Sequence, residues 1–339
     1  MKFKAAVLRK SRHPLSIEFV EFRDKLSAGQ VLVRIQRTAI CGSQIGEIDA
    51  VKGPDKYLPH LLGHEAVGVV IDKGDSHKVS NGDQVILHWI KGSGRNAEPP
   101  SYLSSSGRIN AGQITTFSEY AVISENRLTK VPVCNPLYID AWSTVGCAYL
   151  TAYGTIKRVI GSERLSRTLV LGGGGIGQAA VTLLSEVFDS KVTLIEPANS
   201  RAEYCRQLGA EQIYDWKDTE QIKDVFDSSI DTTGIPDVIE FGYNALSNSG
   251  IVALIGVTPS GKKISIDPMP LHYGREIIGI YGGEAKPDQD IPEIIDHLQK
   301  SRFLKHLVHT SYSLEEINFA IDKIRSGLLV GRAILNLKP

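Results

Sequence analysis

The stretch Thr168 to Glu196, TLVLGGGGIGQAAVTLLSEVFDSKVTLIE, constrains the fold more than any other. Thr168-Leu-Val-Leu171 is a short apolar run of β-formers. Gly172 to Gly175 follow at once, then Ile176 and Gly177. Ile176, Ala179, Ala180, Leu183, Leu184 and Val187 recur at helical spacing. A second apolar run, Lys191 to Ile195, ends in an acid, Glu196. Strand, glycine turn, helix, strand and acid make a βαβ unit that can hold a dinucleotide.

Each part has a physical task. Gly172 permits the tight turn out of the strand, and Gly174 lacks the Cβ that would keep a pyrophosphate away. Gly175 and Ile176 open the helix, whose free N–H groups and partial positive charge suit phosphate. Gly177 lets helix and strand approach closely. Glu196, 19 residues beyond Gly177, can accept hydrogen bonds from both ribose hydroxyls. A carboxylate there repels a 2′-phosphate, which favours NAD over NADP. Arg201 is expected along the adenosine ribose, although a cation so placed could also tolerate the extra phosphate.

The rest of the chain sets the frame. Its 339 residues suggest two domains, and 38 basic residues balance 38 acidic ones. That balance gives no general attraction to nucleic acid or to an anionic membrane. No apolar run is of membrane-spanning length, and the first residues do not read as a signal peptide. Four scattered cysteines, Cys41, Cys134, Cys147 and Cys205, are no disulfide framework and fit a reducing cytoplasm.

The first part reads as mainly β: Phe3–Leu8, Gln30–Ile35, Ala66–Lys73, Gln84–Trp89 and Phe117–Ile123. Between the last two lies Lys91–Thr116, rich in Gly, Ser and Pro, which reads as a solvated excursion or a substrate lid. Asn135–Tyr153 looks helical. Beyond Glu196 the pattern alternates. Helices are expected at Arg201–Leu208, Thr219–Phe226 and Pro236–Leu246. Strands are expected at Gln212–Asp215, Ser229–Asp231, Gly250–Gly256 and Glu276–Tyr281. From about Tyr281 the chain is expected to rejoin the first domain. There Ser313-Leu-Glu-Glu316 is a capping box, Gly327 a helix stop and Val330–Leu337 a last strand.

A second group of residues has metal chemistry. Cys41-Gly42-Ser43 follows one strand, Gly63-His64-Glu65 precedes another, and Cys147 lies just ahead of the glycine unit. Two thiolates, an imidazole and a carboxylate are a plausible tetrahedral zinc set. Singly, each is more often a packing thiol or a satisfied polar group, as Cys134, Cys205 and the scattered histidines, His88 among them, are read here.

These motifs together resemble the zinc-dependent medium-chain alcohol and polyol dehydrogenases. Gly63-His-Glu-Ala-Val-Gly-Val-Val70 resembles that family's zinc signature, and Cys147-Ala-Tyr-Leu-Thr-Ala-Tyr-Gly154 its segment with the second thiolate. Leu171–Gly177 resembles its cofactor loop, and Ile251–Gly256 and Gly331–Leu335 its later cofactor-contacting strands. The resemblance implies an α/β chain: a Rossmann doubly wound parallel sheet over 148–281, plus a mainly β GroES-like catalytic domain over 1–147 and 282–339.

It also implies roles. Cys41, His64 and Cys147 would ligate one catalytic zinc, with Glu65 a fourth or alternating ligand. Ser43 would take the substrate's proton. Thr151 and Ile176 would press on the nicotinamide, Arg332 would meet the pyrophosphate, and Trp89 would line the substrate pocket. The activity implied is NAD-dependent interconversion of an alcohol and its carbonyl, with a small-molecule substrate and a homodimer paired through Glu276–Tyr281.

Departures narrow this. Lys91–Thr116 has none of the four close cysteines of the family's structural zinc lobe, so no structural zinc is expected. Gln44 stands where the family has Asp, and Gly46 where some members end a proton relay in His. The missing lobe and the Cys-Gly-Ser motif point to a secondary alcohol of a polyol, sugar or cyclitol. The competing readings are a zinc-free quinone or enoyl reductase of the same superfamily, a lyase or epimerase that oxidises its sugar transiently, and a non-catalytic NAD-binding protein.

Overall fold

The computed structural model describes residues 1–222, 225–302, 307, 309–327 and 329–337. The chain divides into two compact units: Met1–Cys147 with Lys286–Ile295 and His309–Pro339, and Ala148–Ala285 with Asp296–Val308.

In the first unit, Gln30–Ala39 is the central strand of an open sheet. It pairs antiparallel with Ala66–Asp72, Tyr120–Ser124 and Arg332–Asn336. Its alternation has the expected consequence: Val31, Val33 and Ile35 are fully buried and pack on Leu87, Ile123 and Leu335. A second, closed barrel is made by Lys2–Leu8, Ser16–Glu21, Ser101–Ser104, Gly107–Asn110 and His60–Leu61. Its core centres on Phe3, Val20, Tyr102, Ile109 and Val122, with Phe3 and Tyr102 edge to face at 5.7 Å.

That barrel corrects the expectation for Lys91–Thr116. The segment is not an open excursion throughout, because it holds the hairpin Ser101–Ser104/Gly107–Asn110. Each strand buries one large side chain, Tyr102 or Ile109. A four-residue strand shows too few alternations to be seen against its Gly- and Ser-rich flanks.

The second unit is a parallel sheet in the order Gln212–Tyr214, Lys191–Ile195, Arg167–Leu171, Phe226–Asp231, Leu246–Leu254, Glu276–Gly279. The order reverses direction after Arg167–Leu171, the first strand, and Gly172 follows at the point where a doubly wound sheet binds its ligand. The helix Gly175–Glu186 covers the sheet with Ala179, Ala180, Leu183 and Leu184 buried.

Boundaries differ where tertiary contacts outweigh local pattern. The helix expected at Thr219–Phe226 is a 3₁₀ segment, Trp216–Gln221, and Phe226 already starts a strand; residues 223 and 224 lie outside the described residues. Asn135–Tyr153 is broken into Pro136–Tyr138, Ile139–Trp142, a π-helical turn Val145–Tyr149, and Leu150–Gly154. Pro287–Lys300 is a helix that the pattern did not announce, with Pro292 inside it. The capping box forms as expected: the Ser313 N–H donates to Glu316 Oε2 at 2.8 Å ahead of the helix Ile317–Arg325.

Candidate functional site

Three separate backbone devices in the first unit bring the metal-type side chains together. Cys41 is the N-cap of the short helix Gly42–Ile48, where helix N–H groups favour a thiolate. Gly63 has φ +96°, and a Cβ on it would lie 2.3 Å from Thr116 Oγ1, so only glycine admits the turn that presents His64 and Glu65. Cys147 sits in the π-helical turn, whose Gly146 lies so close to the neighbouring strand that a Cβ would be 1.9 Å from Leu87 O.

The result is a set of four ligating atoms, one each from Cys41, His64, Glu65 and Cys147, all within 4.8 Å of one another. The set fits a metal ion. Nε2 of His64 is buried and has no hydrogen-bond partner. A hydrogen bond from the Cys147 thiol proton, with His64 beside it, holds Cys41 well below the ordinary thiol range despite burial. The same hydrogen bond and burial push Cys147 well above that range. A bound cation would favour release of that proton. Burial pushes the Glu65 carboxyl up to about 7, Arg332 pulls it down, and Cys41 raises it.

Arg332, expected at the pyrophosphate, donates to Glu65 Oε1 in this structure, and both groups are buried. The Gln44 carbonyl accepts from the Gly63 N–H while its amide donates to Glu47 at 3.1 Å. Gln44 therefore positions the peptide before His64 rather than the imidazole itself. Ser43 Oγ donates to Cys41 Sγ at 3.3 Å. The Trp89 ring lies 6.5 Å from the His64 ring, tilted by 54°.

In the second unit the glycine turn has the anticipated geometry. Gly172 has φ +94°. A Cβ on Gly177 would lie 1.9 Å from Gly172 O, whereas one on Gly174 would meet nothing within 4 Å. The space at Gly174 is the cradle a phosphate needs. Gly175 and Ile176 begin the helix as expected, and Thr151 is buried in Leu150–Gly154. Glu196 is more engaged than its spacing indicated. Its Oε2 accepts from Gly173 N at 2.8 Å, and its Oε1 from Ala198 N at 2.8 Å and Arg201 Nη2 at 2.7 Å. Thus Glu196 also ties the glycine turn to the end of the next strand, and Arg201 is its ion-pair partner. Asp231 caps its own strand end, accepting from Thr233 N and Gly234 N at 3.0 Å each.

His88 is a satisfied polar group, as read from the sequence, but its partners were not legible there. It is fully buried, bonded through Nδ1 to Ile90 O at 2.7 Å and through Nε2 to Thr129 Oγ1 at 3.0 Å. Burial depresses its pKa from the ordinary 6.5 to about 4. As pH falls through that window the unfolded chain takes up the proton and the folded chain does not, so stability is lost from about 6.5 down to about 4. The expected loss is about 3 kcal/mol. Denaturant unfolding across this range should show a flatter pH dependence in His88→Gln than in the parent chain; parallel curves would contradict it.

A glycine-turn dinucleotide fold and a Cys-His-Glu-Cys cluster define the class, a metal-binding oxidoreductase. Residues 27–133 match the family "Alcohol dehydrogenase GroES-like domain" and residues 175–300 the family "Zinc-binding dehydrogenase". The chain belongs to the zinc-dependent medium-chain dehydrogenase/reductase superfamily, of the alcohol dehydrogenase type. It is similar over 100% of both chains to an alcohol dehydrogenase zinc-binding domain protein from Burkholderia ambifaria, at 25% identity and a TM-score of 0.90. Benzyl alcohol dehydrogenase from Acinetobacter calcoaceticus shares the fold at 24% identity, 100% coverage of both chains and a TM-score of 0.87. An alcohol dehydrogenase from Thermotoga maritima does so at 19% identity, 99% coverage of both chains and a TM-score of 0.82. No helix among the described residues is long and apolar enough to cross a membrane.

Proposed function

We propose that this chain is a zinc- and NAD(H)-dependent dehydrogenase that interconverts a secondary alcohol of a polyol, sugar or cyclitol with its carbonyl. The observation that carries this reading is the convergence of Cys41, His64, Glu65 and Cys147 in a chain that also has the glycine turn tied to Glu196. When bound, zinc supplies Lewis acidity that makes an alcohol hydroxyl acidic near neutral pH, and nicotinamide supplies the hydride acceptor.

The chain's own groups do the remaining work. Cys41, His64 and Cys147 hold the ion, and two thiolates moderate its charge. Glu65 has Arg332 as its partner here and is the fourth or alternating ligand. Ser43 takes the hydroxyl proton. Thr151 and Ile176 orient the nicotinamide, Glu196 and Arg201 hold the adenosine ribose, and Arg332 is assigned to the pyrophosphate. Trp89 bounds the alcohol on the side of His64. A zinc-free reductase would leave the four ligating groups without a task.

We assign the chain to the cytoplasm, supported by four free cysteines, two of them in the metal set. A homodimer is supported by the edge strand Glu276–Gly279, which exposes Ile278 and is flanked by exposed Tyr273 and Tyr281. Light scattering that gives the mass of one chain would contradict the dimer.

NAD reduction across polyols, sugars, cyclitols and simple alcohols, with metal analysis and with and without a chelator, tests the function. The expected outcome is one zinc per chain and NADH accumulating only while zinc is bound. Turnover unaffected by zinc removal would favour the zinc-free reductase. Absence of both zinc and NADH binding would favour a non-catalytic protein, and a transient oxidation with no lasting NADH a lyase or epimerase.

A further inference from the structure

Trp89 is held from behind at nearly every residue that follows it. His88 and Trp89 are consecutive; His88 is fully buried, and the Trp89 ring lies 6.5 Å from that of His64. The His88 N–H donates to Arg127 O at 2.9 Å, and the Arg127 guanidinium donates to Trp89 O. His88 Nδ1 bonds Ile90 O, and the Gly92 N–H donates to Asn126 O at 2.8 Å. Ser93 is bonded through both its peptide groups, its N–H to Asp288 Oδ2 at 2.5 Å and its carbonyl to Lys78 Nζ at 3.0 Å.

Asp288 anchors the far end of this strap, at Ser93. Besides Ser93, it takes Lys78 Nζ at 2.6 Å and the Thr129 hydroxyl at 3.1 Å on Oδ1. The Thr129 hydroxyl in turn lies 3.0 Å from His88 Nε2. A Cβ on Gly92 would sit 2.7 Å from Asp288 Oδ2, so the strap lies directly on the carboxylate. Burial works against that charge, but Lys78 and Ser93 hold the Asp288 carboxyl below the ordinary range. A carboxylate that accepts the Ser93 N–H on one oxygen and Lys78 Nζ on the other cannot be replaced by an amide without losing one of them.

We propose that Asp288 is a positioning residue that sets which alcohols fit, by holding the Trp89–Ser93 strap against His64. The proposal rests on the dehydrogenase reading for its substrate but not for its geometry. Asp288 comes from the helix Pro287–Lys300, almost 200 residues along the chain from the strap it fixes. Loss of the carboxylate frees the Ser93 N–H and leaves Lys78 on the Ser93 carbonyl alone, and the loosened strap lets Trp89 shift relative to the alcohol. The chemistry at the metal set is not touched.

The test uses the full-length, zinc-loaded protein with Asp288→Ala, Trp89→Ala and the double variant. Two quantities are read: the ratio of kcat/KM for cyclohexanol to that for 2-propanol, and acrylamide quenching of tryptophan emission without substrate. In Asp288→Ala the ratio is expected to change about tenfold through KM, while kcat on 2-propanol stays within about twofold. Quenching should rise. Both changes should vanish when Trp89 is already alanine. The same change in the Trp89→Ala background, or no change in ratio and quenching, overturns the proposal. If Asp288→Ala does not fold, Asp288→Asn must move both readouts in the same direction, and its failure to do so also overturns it. Should the parent chain reduce NAD with none of the polyols, sugars, cyclitols and simple alcohols, the dehydrogenase reading fails on its own, and the quenching cycle still decides whether Asp288 holds Trp89.

Discussion

Cys147→Ala is expected to abolish stoichiometric zinc and to lower alcohol oxidation by on the order of 10²–10³-fold, the scale lost when a group stabilising developing negative charge is removed. The reason is geometric. Cys147 reaches the cluster through a π-helical turn pressed against Leu87, and among the described residues no cysteine, histidine or acid besides Cys41, His64 and Glu65 joins it there as a replacement. The remaining Cys41, His64 and Glu65 would bind an ion more weakly, and Glu65 would remain with Arg332. Metal analysis and turnover should fall together, while NADH binding should persist because Glu196 and the glycine turn belong to the other unit. Full activity in a zinc-free Cys147→Ala protein would remove the electrophile from the scheme.

The second large effect concerns the cofactor. Glu196→Ser is expected to weaken NAD binding about 10- to 100-fold, since hydrogen bonds to charged groups contribute about 1.5–3 kcal/mol each. Two causes add. The carboxylate is lost to the ribose, and the Gly173 and Ala198 N–H groups lose the acceptor that ties the turn in place. Arg201 also loses its partner at 2.7 Å and becomes available to a 2′-phosphate. NADP should therefore gain on NAD in this variant. Cofactor titration by fluorescence checks it, and an unchanged NAD/NADP ratio would show that Glu196 serves the turn rather than the ribose.

Legibility followed the range of the interaction. Gly172, Gly174 and Gly177 could be assigned from sequence because each answers a constraint set within a few residues: a positive φ, an open cradle, a helix against its own preceding strand. The buried face of Gln30–Ala39 was readable because strand alternation has a period of two. The hairpin at Ser101–Asn110 was not, because two buried side chains in a Gly/Ser-rich segment give no period. The helix expected at Thr219–Phe226 is displaced by a 3₁₀ segment at Trp216–Gln221, since Phe226 is taken by a strand of the parallel sheet. Gln44 was expected to alter the support of His64, and the structure shows how, through the Gly63 peptide.

By itself, then, the sequence determined the doubly wound half, the glycine turn with its acid, and the four candidate metal ligands, because residue type and spacing encode local backbone and donor chemistry. Only the tertiary structure decided that those four ligands converge, that Glu65 is paired with Arg332, and that Lys78, His88, Thr129 and Asp288 meet behind Trp89. Those partners lie tens to hundreds of residues apart. Their meeting is fixed by strand pairing and by exclusion of water from the core, which act on the folded chain as a whole and leave no local mark in the order of its residues.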